Sequence, residues 1–109
     1  MGTLLSKLIN YAKELLGESD KFQGSFRGTL GHTFGHLVLS KTKAIFLREG
    51  GFGSAEFELR FDIPYTDLKY EVTDRNMMKI EDGSGVKYEL QTSMMAKFVE
   101  MKLNELCGK

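Results

Sequence analysis

The chain reads in two hydrophobic periods. Leu4, Leu5, Leu8, Ile9, Ala12, Leu15 and Leu16 recur three and four residues apart, with Tyr11 at their margin. Ser6, Lys7, Asn10, Lys13 and Glu14 take the opposite side. This spacing stacks apolar side chains on one face and predicts an amphipathic helix over 4–16. Gly17 is placed to end it, and Glu18, Ser19, Asp20 and Lys21 read as a polar linker.

From Phe22 to Gln91 the period becomes two, the spacing that sends alternate side chains to opposite faces of a strand. Phe57, Leu59, Phe61 and Ile63 alternate with Glu56, Glu58, Arg60 and Asp62, and the same holds for Leu68, Tyr70 and Val72 and for Val86, Tyr88 and Leu90. Phe22, Gly24, Phe26, Gly28 and Leu30 are expected to share one face. The runs "HLVLS" and "AIFLRE" alternate less strictly, as strands covered on both sides do. Turn chemistry separates the runs at "SKTK" (40–43), "EGGFGS" (49–54) and "DGSG" (82–85), and Pro64 marks a strand end. Seven strands are predicted, near 22–32, 35–40, 44–49, 56–63, 67–73, 77–82 and 86–91.

A second helix is predicted over 93–107, with Ser93 as N-cap and Gly108 as stop. Met94, Met95, Phe98, Val99, Met101, Leu103 and Leu106 form a broad apolar arc. Its methionines would suit an adaptable partner surface, but an antiparallel sheet needs a cover, so burial against the sheet is the expectation. Lys102 and Glu105 interrupt the arc, which projects the last turns beyond the sheet.

Seven short antiparallel strands followed by one amphipathic helix resemble the pleckstrin-homology superfold. "GHLVLSKTKAIFL" (35–47), "FDIPYTDLKYEV" (61–72) and "GVKYELQTSMMAKFVEMKLNEL" (85–106) are similar to segments of its GRAM and bacterial PH group. The resemblance implies a mainly β fold with two helices: a split barrel of a four-stranded and a three-stranded sheet, plugged by the C-terminal helix. Met94, Met95, Phe98 and Val99 would be that plug, and the loops near 31–35, 50–55 and 82–85 would gather at the other end. The division is then residues 1–18, an added N-terminal helix and linker, and residues 19–109, the PH-like domain.

Composition narrows the function. At 109 residues, the chain has room for one core. Fifteen basic residues balance fifteen acidic ones, without the basic excess that counterion release from phosphates rewards, so nucleic acid is not expected as a partner. A single cysteine, Cys107, fits a reducing compartment, and no stretch has the length and apolarity of a membrane-spanning helix or the form of a signal peptide. Cytoplasmic residence is expected.

Candidate chemistry is sparse. The carboxylates sit at outward strand positions, and no glycine-rich phosphate loop precedes a helix, so neither an enzyme nor a cofactor is expected. Both histidines, His32 and His36, lie in "GHTFGH" with no third ligand in the segment, which argues against a metal. Gly31 and Gly35 would permit the bend between strands one and two. The resemblance implies headgroup recognition by basic residues of this first hairpin, where the chain offers Arg27, His32 and His36, with Phe52 at a nearby loop tip. A peripheral lipid-binding domain is therefore one alternative. A small-ligand carrier is another, opposed by Phe26, Phe57, Phe61, Tyr70, Tyr88 and Phe98, which should fill so small a barrel. The favoured reading is a non-catalytic scaffold that binds a protein partner or forms a homo-oligomer. Leu4, Leu8, Tyr11 and Leu15 are its candidate interaction surface, unless the helix packs on its own barrel.

Overall fold

Among the described residues, nine elements follow the order that the two periods predict. The structure is a computed structural model that describes residues 3–17, 20–49 and 57–108, with side chains from residue 7 onward. In chain order these elements are α1 (Thr3–Leu16), β1 (Phe22–Leu30), β2 (Thr33–Ser40), β3 (Lys43–Glu49), β4 (Phe57–Pro64), β5 (Lys69–Asp74), β6 (Met77–Glu81), β7 (Lys87–Thr92) and α2 (Ala96–Cys107). Gly17 and Gly108 end the helices at φ 77° and 76°, as their positions predict.

All strand pairs are antiparallel, in one sheet of order β4-β3-β2-β1-β7-β6-β5. Its four- and three-stranded halves meet through only three pairs, Gly28–Thr92, Thr29–Gln91 and Leu30–Leu90. Between the halves lies the core. Leu37, Leu39, Phe46, Phe61 and Ile63 from one half meet Met78, Ile80 and Leu90 from the other, together with Ala96, Val99 and Leu103 of α2. Phe46, Phe61 and Tyr88 pack through its centre as tilted ring pairs with separations of 6.0 and 4.9 Å.

α1 lies on the outer face of the four-stranded half. Leu8, Ala12 and Leu16 pack on Val38, Ile45 and Leu47, with Phe22 and Phe57 at the edge of the cluster. β2 and β3 are thus apolar on both faces, which is why "HLVLS" and "AIFL" run without clean alternation.

Two register shifts overturn two face assignments. Phe22 pairs with Ser40 but Gly24 pairs with Leu39, so β1 sets two residues against one of β2. Phe22 therefore faces α1, whereas Phe26 and Leu30 face the core. In β4, Phe61 pairs with Phe46 and Leu59 with Leu47, so a second extra residue puts Phe57 with α1 and leaves Phe61 and Ile63 inside. A bulge reverses side-chain parity, and a period-two reading carries the wrong face past it.

Gly35 is not in the turn. The first hairpin turns on Gly31 and His32, where Gly31 has φ 64°, and Leu30 pairs with Thr33. Gly35 lies inside β2, where a Cβ would come within 2.2 Å of the Leu47 carbonyl oxygen; close strand approach is its reason. The 82–85 turn has its tip against Asp67, while the first hairpin joins β7 through Gly31 N–H donating to the Glu89 carbonyl at 3.2 Å. The 50–55 loop lies outside the described residues.

α2 begins three residues later than its pattern suggests, and Ser93 does not cap it. Met95 is the N-cap residue and makes no side-chain cap bond. The chain at 93–95 is instead tied to the β5–β6 turn: Asn76 Nδ2 donates to the Thr92 and Met94 carbonyls at 3.2 and 2.9 Å, and Ala96 N–H donates to the Arg75 carbonyl at 2.8 Å. Entry at Ala96 fixes the rotation of the helix, so the Ala96, Val99 and Leu103 stripe turns inward. The far end does not project freely, because Tyr70 O–H donates to Asn104 Oδ1 at 2.6 Å.

Candidate functional site

The first hairpin was the expected site, and its groups are largely occupied with one another. His36 is buried on the α1 side of β2, with Nε2 2.6 Å from Glu49 Oε1. Its ring meets Phe34 and Phe57 edge-on at 6.2 and 6.1 Å, and Tyr11 of α1 stacks on Phe57 at 5.8 Å. Arg27, the cross-strand partner of His36, holds its guanidinium 5.1 Å from the Phe34 ring centre. That is a cation–π contact on the outer face. His32 stands exposed in the turn, apart from this cluster. Phe52 lies outside the described residues.

Sequence reasoning missed Glu49 as the partner of His36, since thirteen residues and a strand reversal separate them. Only the β2–β3 register could have shown the pair. Among the described residues, no three His, Cys, Asp or Glu side chains gather as a metal-holding set.

The remaining charges form a solvated sheet face. Across β5, β6 and β7 the outward rows are Lys69–Glu81–Lys87 and Glu71–Lys79–Glu89, each alternating in sign. Arg60 and Arg48 lie 3.0 and 3.2 Å from Glu58 and hold its carboxyl below the usual range, Arg60 most strongly. A cleft of about 330 Å³ between Gly31, Arg60, Lys87 and Glu89 therefore offers two cations, with Arg60 already bonded to Glu58 and a carboxylate at the rim. A wider cleft of about 790 Å³ beside the end of α1 is lined by Ile9, Lys13, Lys21, Phe22 and Asp20. Its buried charge, Asp20, already accepts from Ser40 Oγ at 2.8 Å and Thr42 Oγ1 at 2.7 Å.

The candidate interaction surface on α1 is mostly used within the chain. Leu8 is fully buried on the sheet, Tyr11 is half-buried against Phe57, and Leu15 is exposed. The Leu4 side chain lies outside the described residues.

Four exposed large apolar side chains lie in and just before α2, and Leu15, Phe34, Leu59 and Val86 are exposed elsewhere. Met94, Met95, Phe98 and Met101 keep 45, 37, 50 and 54% of their surface exposed, so the plug is Ala96, Val99 and Leu103. The signal was present in the sequence as an apolar arc too broad for one buried stripe. Lys97 and Lys102 flank the exposed stripe, and Glu105 continues its line.

No protein-family model matches the chain, and no curated protein matches it. Solved structures do resemble it. The C-terminal domain of an unknown protein from Leishmania infantum superposes with a TM-score of 0.73 at 12% identity, covering 96% of this chain and 99% of that one. The linker-DH/PH domains of p115-RhoGEF give 0.69 at 14%, covering 91% of this chain and 32% of that one. A pleckstrin homology domain from Shewanella amazonensis gives 0.65 at 12%, covering 96% and 99%. At such identities the likeness is of fold alone, and the fold is pleckstrin-homology-like.

Proposed function

We propose that this chain is a non-catalytic interaction module of the cytoplasm that assembles with protein through the outer face of α2. The observation that carries the reading is the division of α2 and the two residues before it into two apolar sets. One is seated in the core, and the other, Met94, Met95, Phe98 and Met101, is left in water. A contiguous exposed apolar patch is costly for a solitary domain and is the usual mark of a docking surface. Within the fold class, the segments at 35–47 and 61–72 favour the GRAM and bacterial PH group. Headgroup binding is disfavoured, because Arg27 lies over Phe34 and His36 faces Glu49, which leaves His32 as the exposed nitrogen base of the first hairpin turn.

The reading is tested with a photo-reactive phenylalanine analogue placed at position 98 and, as control, at the exposed Glu71. Covalent protein adducts from position 98 and none from position 71 support it. Absence of adducts at 98, or equal labelling at both positions, overturns it.

A further inference from the structure

The charges around the exposed stripe say what covers it. Phe98, Met101 and Glu105 follow one another at helical spacing along one line of α2, with Met94 and Met95 just before the first turn. Lys97 flanks the start of this line. Lys97 and Glu105 stand four residues to either side of Met101. The patch therefore has an apolar middle, a cation at one end and, at the other, a carboxylate with Lys102 beside it.

We propose that the occupant is a second copy of this chain, docked antiparallel about a two-fold axis that passes beside Met101. This rests on the reading of α2 as the docking face. A two-fold axis there exchanges the ends of the helix. Each Lys97 comes opposite the other copy's Glu105, and Met101 meets its own counterpart. One patch thus supplies two symmetry-related ion pairs around a shared apolar centre, the self-complementarity that an isologous interface requires. Glu105 already has Lys102 at 3.8 Å within its own helix, so the incoming Lys97 completes a carboxylate held between two ammonium groups.

Other occupants fit less well. An anionic membrane surface would leave the Glu105 carboxylate, beside Lys102, without a new partner, and a partner of single charge sign would match Lys97 or Glu105 but not both. Two copies of this chain meet without long-range repulsion, because fifteen positive charges balance fifteen negative ones. Methionine side chains in the centre adapt to a facing copy of themselves. Four half-exposed side chains cover less than the ~800 Å² per partner of a standard interface, so the dimer is weak and concentration-dependent.

Sedimentation equilibrium across a concentration series tests this on the full chain. The expected mass rises from 12.3 kDa toward twice that value, and Phe98→Asp keeps it at 12.3 kDa while leaving the thermal midpoint unchanged. Lys97→Glu alone and Glu105→Lys alone each set like charges opposite one another and should each abolish the dimer. Mixed together, the two variants place opposite charges at both pairs and should restore it as a heterodimer. A wild-type chain that stays monomeric into the millimolar range overturns the proposal. So does a dimer that Phe98→Asp does not touch, or a mixture that fails to re-associate. If position 98 then gives photo-adducts of another mass, the docking face stands and the second copy falls as its occupant.

Discussion

His36 Nε2 lies 2.6 Å from Glu49 Oε1, diagonally across the β2–β3 ladder, since His36 pairs directly with Leu47. The pair closes the loop end of the outer layer beneath Phe57 and Tyr11. Removing the ring leaves a buried gap and a carboxylate without its partner. His36→Ala should therefore cost about 1–3 kcal/mol in urea unfolding, with Glu49→Gln costing less because an amide still bonds. A double-substitution cycle should show coupling of at least about 0.5 kcal/mol. Strict additivity would mean that the contact contributes nothing.

α1 is held by one buried stripe, so its two sides should respond differently. Leu8→Ala removes a fully buried side chain from the layer over Val38, Ile45 and Leu47 and should cost about 2–5 kcal/mol. Leu15→Ala, on the exposed side, should stay within about 0.5 kcal/mol of the parent. Equal effects would mean that the helix does not dock on this face in solution.

The element order and the double covering of β2 and β3 were legible because periodicity reports local geometry directly. What the pattern could not carry was parity across a bulge. Phe57, Leu59, Phe61 and Ile63 look alike at period two, yet one extra residue in β4 sends the first pair outward and the second pair inward. The orientation of α2 was hidden for a related reason. Its rotation is fixed by Asn76 and Arg75 in a distant turn, not by its own apolar arc. The exposed face of α2 was therefore visible as an excess of apolar residues but not as a surface.

That division makes a stability forecast of its own. Leu103→Ala, on the seated stripe, should cost about 2–5 kcal/mol, as a buried leucine truncation does. Met101→Ala, two residues earlier and half-exposed, should stay within about 0.5 kcal/mol when measured on dilute chain. Similar losses at both positions in chemical denaturation would show that Met101 is buried after all.

Asp20 ties the linker after α1 to the β2–β3 turn. Its carboxylate accepts from Ser40 Oγ, Thr42 Oγ1 and the Thr42 amide at 2.8, 2.7 and 3.2 Å, and it is almost wholly buried. Asp20→Ala takes the acceptor from Thr42 Oγ1 and leaves Ser40 Oγ with the Lys43 carbonyl and the Thr42 amide with Ser40 Oγ, and it should cost about 1–3 kcal/mol. Amide exchange at Thr42 should accelerate with it; an unchanged rate would detach Asp20 from the turn.

Two tyrosines at the end of α2 set an alkaline limit to stability. Tyr70 is pushed up to about 12, first by burial and then by the neighbouring Cys107 and Glu100, and its hydroxyl donates to Asn104 Oδ1 at 2.6 Å. Tyr65, which donates to the Ser40 carbonyl at 2.6 Å, is raised by burial, then by Cys107 and Asp20. In both, the fold favours the neutral phenol. Each contribution is whole below the ordinary tyrosine value of 10.0; that of Tyr70 is lost as pH climbs through about 12 and that of Tyr65 at still higher pH, because the unfolded chain releases the proton first. Denaturant midpoints should fall across that window, and Tyr70→Phe should flatten part of the fall while costing about 0.5–1.5 kcal/mol at neutral pH through the lost hydrogen bond. Phenolate absorbance on the folded chain provides the direct check: the Tyr70 and Tyr65 signals should appear above the ordinary tyrosine range, and their appearance at the ordinary value would show that neither ring is shielded.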